Sequence, residues 1–178
     1  MEDSVGQAQK VFMATTQQAE IAQRAWVYAV VHPASPEHFA AGKLFDIRVT
    51  TKNTGRTPAI GVRSAAYRTT IFKKASPDLA LSEPVYRDKD YVKQGNIAPD
   101  SARYSDLVYN LTEEDVKRID SLEARIYVYG RIEYEDVFGT PHWMTFCTFL
   151  IPGGDFALCS KNNDMDNNQP RNLAANSK

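Results

Sequence analysis

The spacing of hydrophobic positions changes near residue 24. Before it, Val5, Ala8, Phe12, Thr15, Ala19, Ala22 and Trp26 recur at alternating intervals of three and four, the spacing of a helical seam. Ala and Thr occupy most of that seam, and Gln7, Gln9, Lys10, Gln17, Gln18 and Glu20 fill the other faces. The pattern predicts a helical connector over residues 1–23, with Val5, Phe12 and Ala19 as candidate oligomerisation positions. The alternative is a helix resting on its own domain, since so few heptads rarely hold a coiled coil.

After residue 24 the period is two. Residues 26–31 read as a first strand ending at His32-Pro33. Between Lys43 and Asn53, Phe45, Ile47 and Val49 share one face, while Asp46, Arg48, Thr50 and Lys52 share the other. A turn at Asn53-Thr54-Gly55 leads to a strand over residues 60–72. Pro77, Pro84, Gly95 and Pro99 break every pattern across residues 75–102, which read as a long loop with a short strand near residues 85–92. Residues 104–111 form another strand. Thr112 then caps a helix of about two turns, with Glu113, Glu114 and Asp115 at its positive end.

Residues 125–135 alternate most clearly. Ile126, Val128, Gly130, Ile132 and Tyr134 face one way, and Arg125, Tyr127, Tyr129, Arg131, Glu133 and Glu135 the other. A turn at residues 136–140 leads into residues 142–151, apolar on both faces and therefore central. A Gly153-Gly154 turn precedes a last strand over residues 156–160. The inward set is expected to include Trp26, Phe45, Ile47, Val49, Ile126, Val128, Ile132 and Phe146.

Seven or eight short strands with hairpin turns predict a mainly β fold, an antiparallel β-sandwich over residues 24–160, with an N-terminal helix and one short internal helix. A closed eight-stranded barrel is the alternative. Residues 161–178, with six Asn and no aromatic residue, read as a disordered polar tail. The longest clean apolar run, residues 25–31, is far short of the ~20 residues that span a bilayer, so the chain itself is expected to be soluble.

The two cysteines, Cys147 and Cys159, flank the Gly-Gly turn. A two-residue turn sends their thiols to opposite faces, whereas a three-residue turn sets them opposite each other. The preferred reading is two buried free thiols, which leaves the redox compartment open.

The turn Asn53-Thr54-Gly55-Arg56-Thr57-Pro58-Ala59 resembles that of bacterial immunoglobulin-like domains. The run from Tyr129 to Gly139, followed by His142 and Phe146-Cys147, is similar to the second half of one group of bacterial proteins. These are membrane-tethered, with a Gln-rich helical connector and a C-terminal immunoglobulin-like β-sandwich. Gln17 to Trp26 resembles the end of such a connector, and the likeness runs in order over residues 10–165. It implies an immunoglobulin-like fold, a bacterial membrane-associated location on a side left open, and a membrane-spanning segment before Met1. Its motifs are turn and core motifs, which identify fold better than function.

The net charge of −1 argues against a protein that coats nucleic acid. Residues 43–74, however, carry eight basic groups against one acid, Asp46. Arg48, Lys52, Arg56 and Arg63 are the candidate patch for an anionic partner, either lipid headgroups or an acidic protein surface. The alternative is a solvated face that balances the acidic remainder. Tyr127 and Tyr129 are the candidates for base stacking, with no specific nucleic acid expected.

No metalloprotease, Cys-x-x-Cys, nucleophile-elbow or phosphate-loop spacing occurs. His32, His38 and His142 do not form a metal-binding spacing, and no metal or cofactor is expected. Asn162, Asp164, Asp166 and Asn168 alternate like the start of a calcium loop but lack its Gly and terminal Glu, and read as solvated tail. The expectation is a non-catalytic binding, sensory or scaffolding domain with a protein partner. The alternative is a small hydrolase or metal-dependent enzyme using His142 with Glu133, Glu135 and Asp136. Against it, alternation puts Glu133 and Glu135 on a solvent face, and Asp136 suits a bond to its own turn.

Overall fold

The computed structural model describes residues 2–35, 39–72 and 85–166. Helix α1 (Glu2–Gln23) precedes β1 (Val27–Pro33), β2 (Leu44–Asn53), β3 (Ala59–Phe72), β4 (Val92–Ile97) and β5 (Ala102–Asn110). Helix α2 (Glu113–Asp120) then leads to β6 (Ala124–Glu135), β7 (Pro141–Leu150) and β8 (Phe156–Leu158). The strands form two antiparallel sheets, β1-β2-β5 and β4-β3-β6-β7-β8, packed as a sandwich rather than closed into a barrel.

The alternating residues meet between the sheets as their period requires. Phe45, Ile47 and Val49 of β2 are buried against Ile126, Val128 and Ile132 of β6 and Phe146 of β7. Within the larger sheet, Gly130 leaves room for Phe146 of β7 to lie across β6 beside β3. A Cβ there would lie 2.2 Å from the Ala65 carbonyl oxygen and 2.5 Å from Phe146 Cζ. Helix α2 closes one end with Ile119, and Thr112 and Asp115 form the expected capping box.

Trp26 departs from its expected inward place. It is only half-buried: it lies just before β1 with its indole stacked against the Arg24 guanidinium, and Ala25 and Val27 on either side of it enter the core instead. The strand expected near residues 85–92 lies at β4 instead. Residues 88–90 form a 3-10 turn, and β4 runs through Gly95, which takes φ +76° as the ladder with β3 shifts register.

The cysteines are joined in a disulfide, which corrects the reading of two free thiols. Leu150 pairs with Phe156, so the hairpin loop is residues 151–155 rather than a Gly-Gly pair. That loop length places Cys159 opposite Cys147, and Cys159 N–H donates to the Cys147 carbonyl at 3.0 Å. The tail expected from residue 161 is also ordered through Asp166. It runs along β7, where Thr145 N–H donates to the Asp164 carbonyl at 2.7 Å and Met165 bridges Met144. Residues 167–178 lie outside the described residues.

Candidate functional site

Four charged side chains converge where α1 meets the sandwich. Arg24 follows α1 directly and is buried. The Asn53-Thr54-Gly55 turn puts it there. Asn53 spends its side-chain capacity locally: Oδ1 accepts from Trp26 N at 3.2 Å and Gly55 N at 2.9 Å, while Nδ2 donates to the carbonyls of Thr57 and Ile97. Gly55 lies flat on residues 24–26, where a Cβ would come within 2.3 Å of the Arg24 carbonyl oxygen. The Arg24 guanidinium stacks on the Trp26 indole, 3.6 Å from its centroid.

Asp136 enters from the β6–β7 turn. Its Oδ1 accepts from Phe138 N and Thr140 N, each at 2.9 Å, as the sequence suggests, and its Oδ2 lies 2.9 Å from His142 Nε2. Asp166 reaches His142 Nδ1 at 2.8 Å from the other side. Burial works against a charge on His142, but the hydrogen bonds to Asp166 and Asp136 outweigh it and hold its pKa above the ordinary value. Burial likewise opposes the Asp166 charge, and the His142 hydrogen bond overcomes it and lowers that pKa. Arg24 Nη1 sits 3.5 Å from Asp166 Oδ2 and 3.2 Å from His142 Nδ1. With His142 charged, both nitrogens are donors converging on the same carboxylate oxygen. Two cations and two anions then balance. Tyr134 packs on the His142 ring, and burial pushes its hydroxyl up to about 12.

Chemically this cluster is saturated. A histidine with a carboxylate on each nitrogen has no lone pair with which to take a substrate proton. The enzyme grouping is therefore only partly assembled: His142 meets Asp136, whereas neither Glu133 nor Glu135 reaches it by a hydrogen bond among the described residues.

Glu133 anchors a second network on the outer face of the larger sheet. Its Oε2 accepts from Arg63 Nε and Nη2 at 3.0 and 2.7 Å, and its Oε1 from Arg131 Nε at 2.8 Å and the Tyr91 hydroxyl at 2.9 Å. Burial raises the Glu133 pKa, but these donors prevail and lower it. Arg131 stacks on Trp143, and beside them an open groove of about 690 Å³ is lined by Arg63, Glu133, Glu135, His142 and Trp143 among others.

The four basic candidates are not brought together. Arg48 and Lys52 share the outer face of the smaller sheet, where Arg48 forms a two-pronged pair with Asp106 at 2.8 and 3.0 Å. Arg56 is exposed in the turn after β2, and Arg63 lies on the other sheet in ion pairs with Glu133 and Asp88. The spacing along the chain does not reveal the division, because β2 and β3 belong to opposite sheets. The Arg68 side chain and residues 73–74 lie outside what is described.

The stacking pair is also revised. Tyr127 points outward but is fully buried, packed on Phe149 beside Cys147, so it offers no face to a base. Tyr129 is half-buried and stacked on Tyr67, with centroids 5.6 Å apart. On α1, Val5 and Phe12 are exposed, as is Ala19. His32 lies near the end of β1, and His38 falls outside the described residues. Among the described residues no three His, Cys, Asp or Glu side chains are grouped to hold a metal ion. The sequence reading missed Arg24 and assigned Asp166 to the tail. The likeness of residues 17–26 to a connector end lies near Arg24, and the alternation of Asn162, Asp164 and Asp166 includes Asp166 without relating it to His142.

A scan against protein-family models and a search of curated proteins each find no match for this chain.

Proposed function

We propose that this chain is a non-catalytic binding, sensory or scaffolding domain, an immunoglobulin-like sandwich that α1 connects to a membrane-anchored segment. The observation that carries this reading is α1 itself. Residues 5–19 are all exposed, so a helix of 22 residues stands away from the sandwich instead of resting on it. A helix polar on most faces bridges rather than packs. No helix among the described residues is long and apolar enough to cross a membrane.

Relabelled A to G in chain order, the strands fall as A-B-E against C′-C-F-G with β8 added at the edge. That order supports the immunoglobulin-like assignment. The disulfide supports a place on the oxidising side of the membrane. The groove beside Arg131 and Trp143 is the face offered to a protein partner, and the Arg48–Lys52 strip is the face offered to anionic headgroups.

The hydrolase alternative has one observation behind it: Glu133, Glu135 and His142 line the same groove. Against it stand the saturated His142 and the four-donor shell of Glu133.

The coding sequence upstream of Met1 tests the tether, and an apolar stretch of ~20 residues is expected there. A frame that opens at Met1, with the chain absent from membrane fractions, would overturn it. A thermal-shift screen tests the function class, since a ligand at 100 times its Kd adds about 2.7 kcal/mol. Stabilisation without turnover is expected. Turnover lost in both Glu135→Gln and His142→Asn would establish the enzyme instead.

A further inference from the structure

We infer that the Arg24–Asp166–His142–Asp136 cluster is a joint that fixes the direction in which α1 leaves the sandwich, and that the Cys147–Cys159 disulfide keeps this joint closed.

Three separate stretches of chain meet in the cluster. Arg24 belongs to the exit of α1, Asp136 and His142 to the β6–β7 hairpin, and Asp166 to the segment beyond β8. Asp166 is the anion that faces both cations: its Oδ2 lies 2.8 Å from His142 Nδ1 and 3.5 Å from Arg24 Nη1, while Arg24 and His142 themselves stand 3.2 Å apart. Removing it leaves a buried guanidinium and a buried imidazolium facing each other without their shared counter-charge, an arrangement that drives the mobile partner outward. Asp136 and His142 are built into a hairpin, and the Arg24 carbonyl accepts from Arg56 N at 3.3 Å, so what can move is the Arg24 side chain and the helix that precedes it.

Asp166 is not held by its own side chain alone. The stretch from Cys159 to Asp166 is tied back along β7 at successive points. Asn163 Oδ1 accepts from Cys147 N at 2.9 Å, and Asn163 Nδ2 donates to the Cys159 carbonyl at 2.9 Å. Thr145 N donates to the Asp164 carbonyl at 2.7 Å, and Asp166 N to the Trp143 carbonyl at 3.1 Å. The disulfide is the covalent start of this strap, and Asn163 bonds to the backbone of both cysteines. Reduction by a dithiol supplies two electrons and two protons, breaks the S–S bond to give two thiols, and oxidises the reductant to its own disulfide. The strap then holds by hydrogen bonds alone at an open sheet edge. Coupling of this kind is reciprocal, so a joint held open also weakens the strap.

The test is amide residual dipolar couplings of the whole chain, oxidised and after reduction with dithiothreitol, in wild type, Asp166→Asn and Asn163→Ala. In the oxidised wild type, α1 and the sandwich should share one alignment frame. The α1 couplings should collapse toward zero in each of the three perturbed proteins, while those of β2 and β6 persist. Reduction should add nothing to Asp166→Asn. If reduction unfolds the sandwich, control of the joint by the disulfide is overturned, and oxidised Asn163→Ala, which cuts the strap with the disulfide intact, decides the strap alone. Unchanged α1 couplings in Asp166→Asn would overturn the joint. A change in Asp166→Asn with none in Asn163→Ala or after reduction would overturn control by the disulfide.

Discussion

Asp166 Oδ2 lies 2.8 Å from His142 Nδ1, across 24 residues of sequence. His142 is 5% exposed and has Asp136 on its other ring nitrogen. An imidazolium is costly to bury alone, as is a carboxylate, and each is tolerated here because the other is present. The pair thus ties the segment beyond β8 to the start of β7.

The His142 contact sets a pH dependence. Its folded pKa is raised above the ordinary ~6.5, so its stabilisation is fully present below that value and is lost as pH rises through the raised folded value. Denaturant melts taken upward from about pH 6 should show falling stability, roughly 1.4 kcal/mol for each tenfold gain in proton affinity on folding. His142→Asn should flatten this slope. Asp166, with its lowered pKa, acts in the opposite sense, and its contribution disappears as pH falls through the depressed folded value.

Two glycines should respond oppositely to alanine. Gly130→Ala drives a Cβ to 2.2 Å from a carbonyl oxygen of β3 and into the Phe146 ring, and should cost about 3 kcal/mol or more by urea denaturation. Gly6→Ala meets nothing within 4 Å on α1 and should add helicity by circular dichroism, worth about 1 kcal/mol to the helix.

The disulfide should be quantitative. Thiol titration of the unfolded, unreduced chain should find no free thiol. Cys147→Ser should lose about 3 kcal/mol, the chain-entropy value for a loop near this size, with a separation of 12 residues. Two reactive thiols in the purified chain would restore the free-thiol reading.

On the smaller sheet, charge reversal should distinguish two neighbours. Arg48→Glu sets an acid directly across from Asp106 and should lower the urea midpoint, whereas Lys52→Glu, opposite Ala102 and Tyr28, should not. Lys52→Glu should instead weaken co-sedimentation with anionic vesicles at low salt, where each basic residue near the surface is worth about 1 kcal/mol. Equal binding to neutral vesicles would reduce the strip to a solvated face.

The elements and most of the core are legible in the order of residues alone. Period-two alternation can be satisfied only if Ile47 and Ile132 face inward and Arg48 and Arg131 outward, and the Thr112–Asp115 cap needs only residues within one turn. Such information is local, so it survives without knowledge of what the element packs against. The disulfide hinged on one residue of loop length, because a shift of one reverses the faces of a strand, and the glycines gave no count of how many residues the loop held. The basic candidates were close in sequence but divided by strand assignment to opposite sheets. Arg24, Asp136, His142 and Asp166 met only through tertiary structure. A buried charge is stable only beside its counter-charge, and what brings these four together is the turn at Gly55 and the course of residues 159–166 along β7.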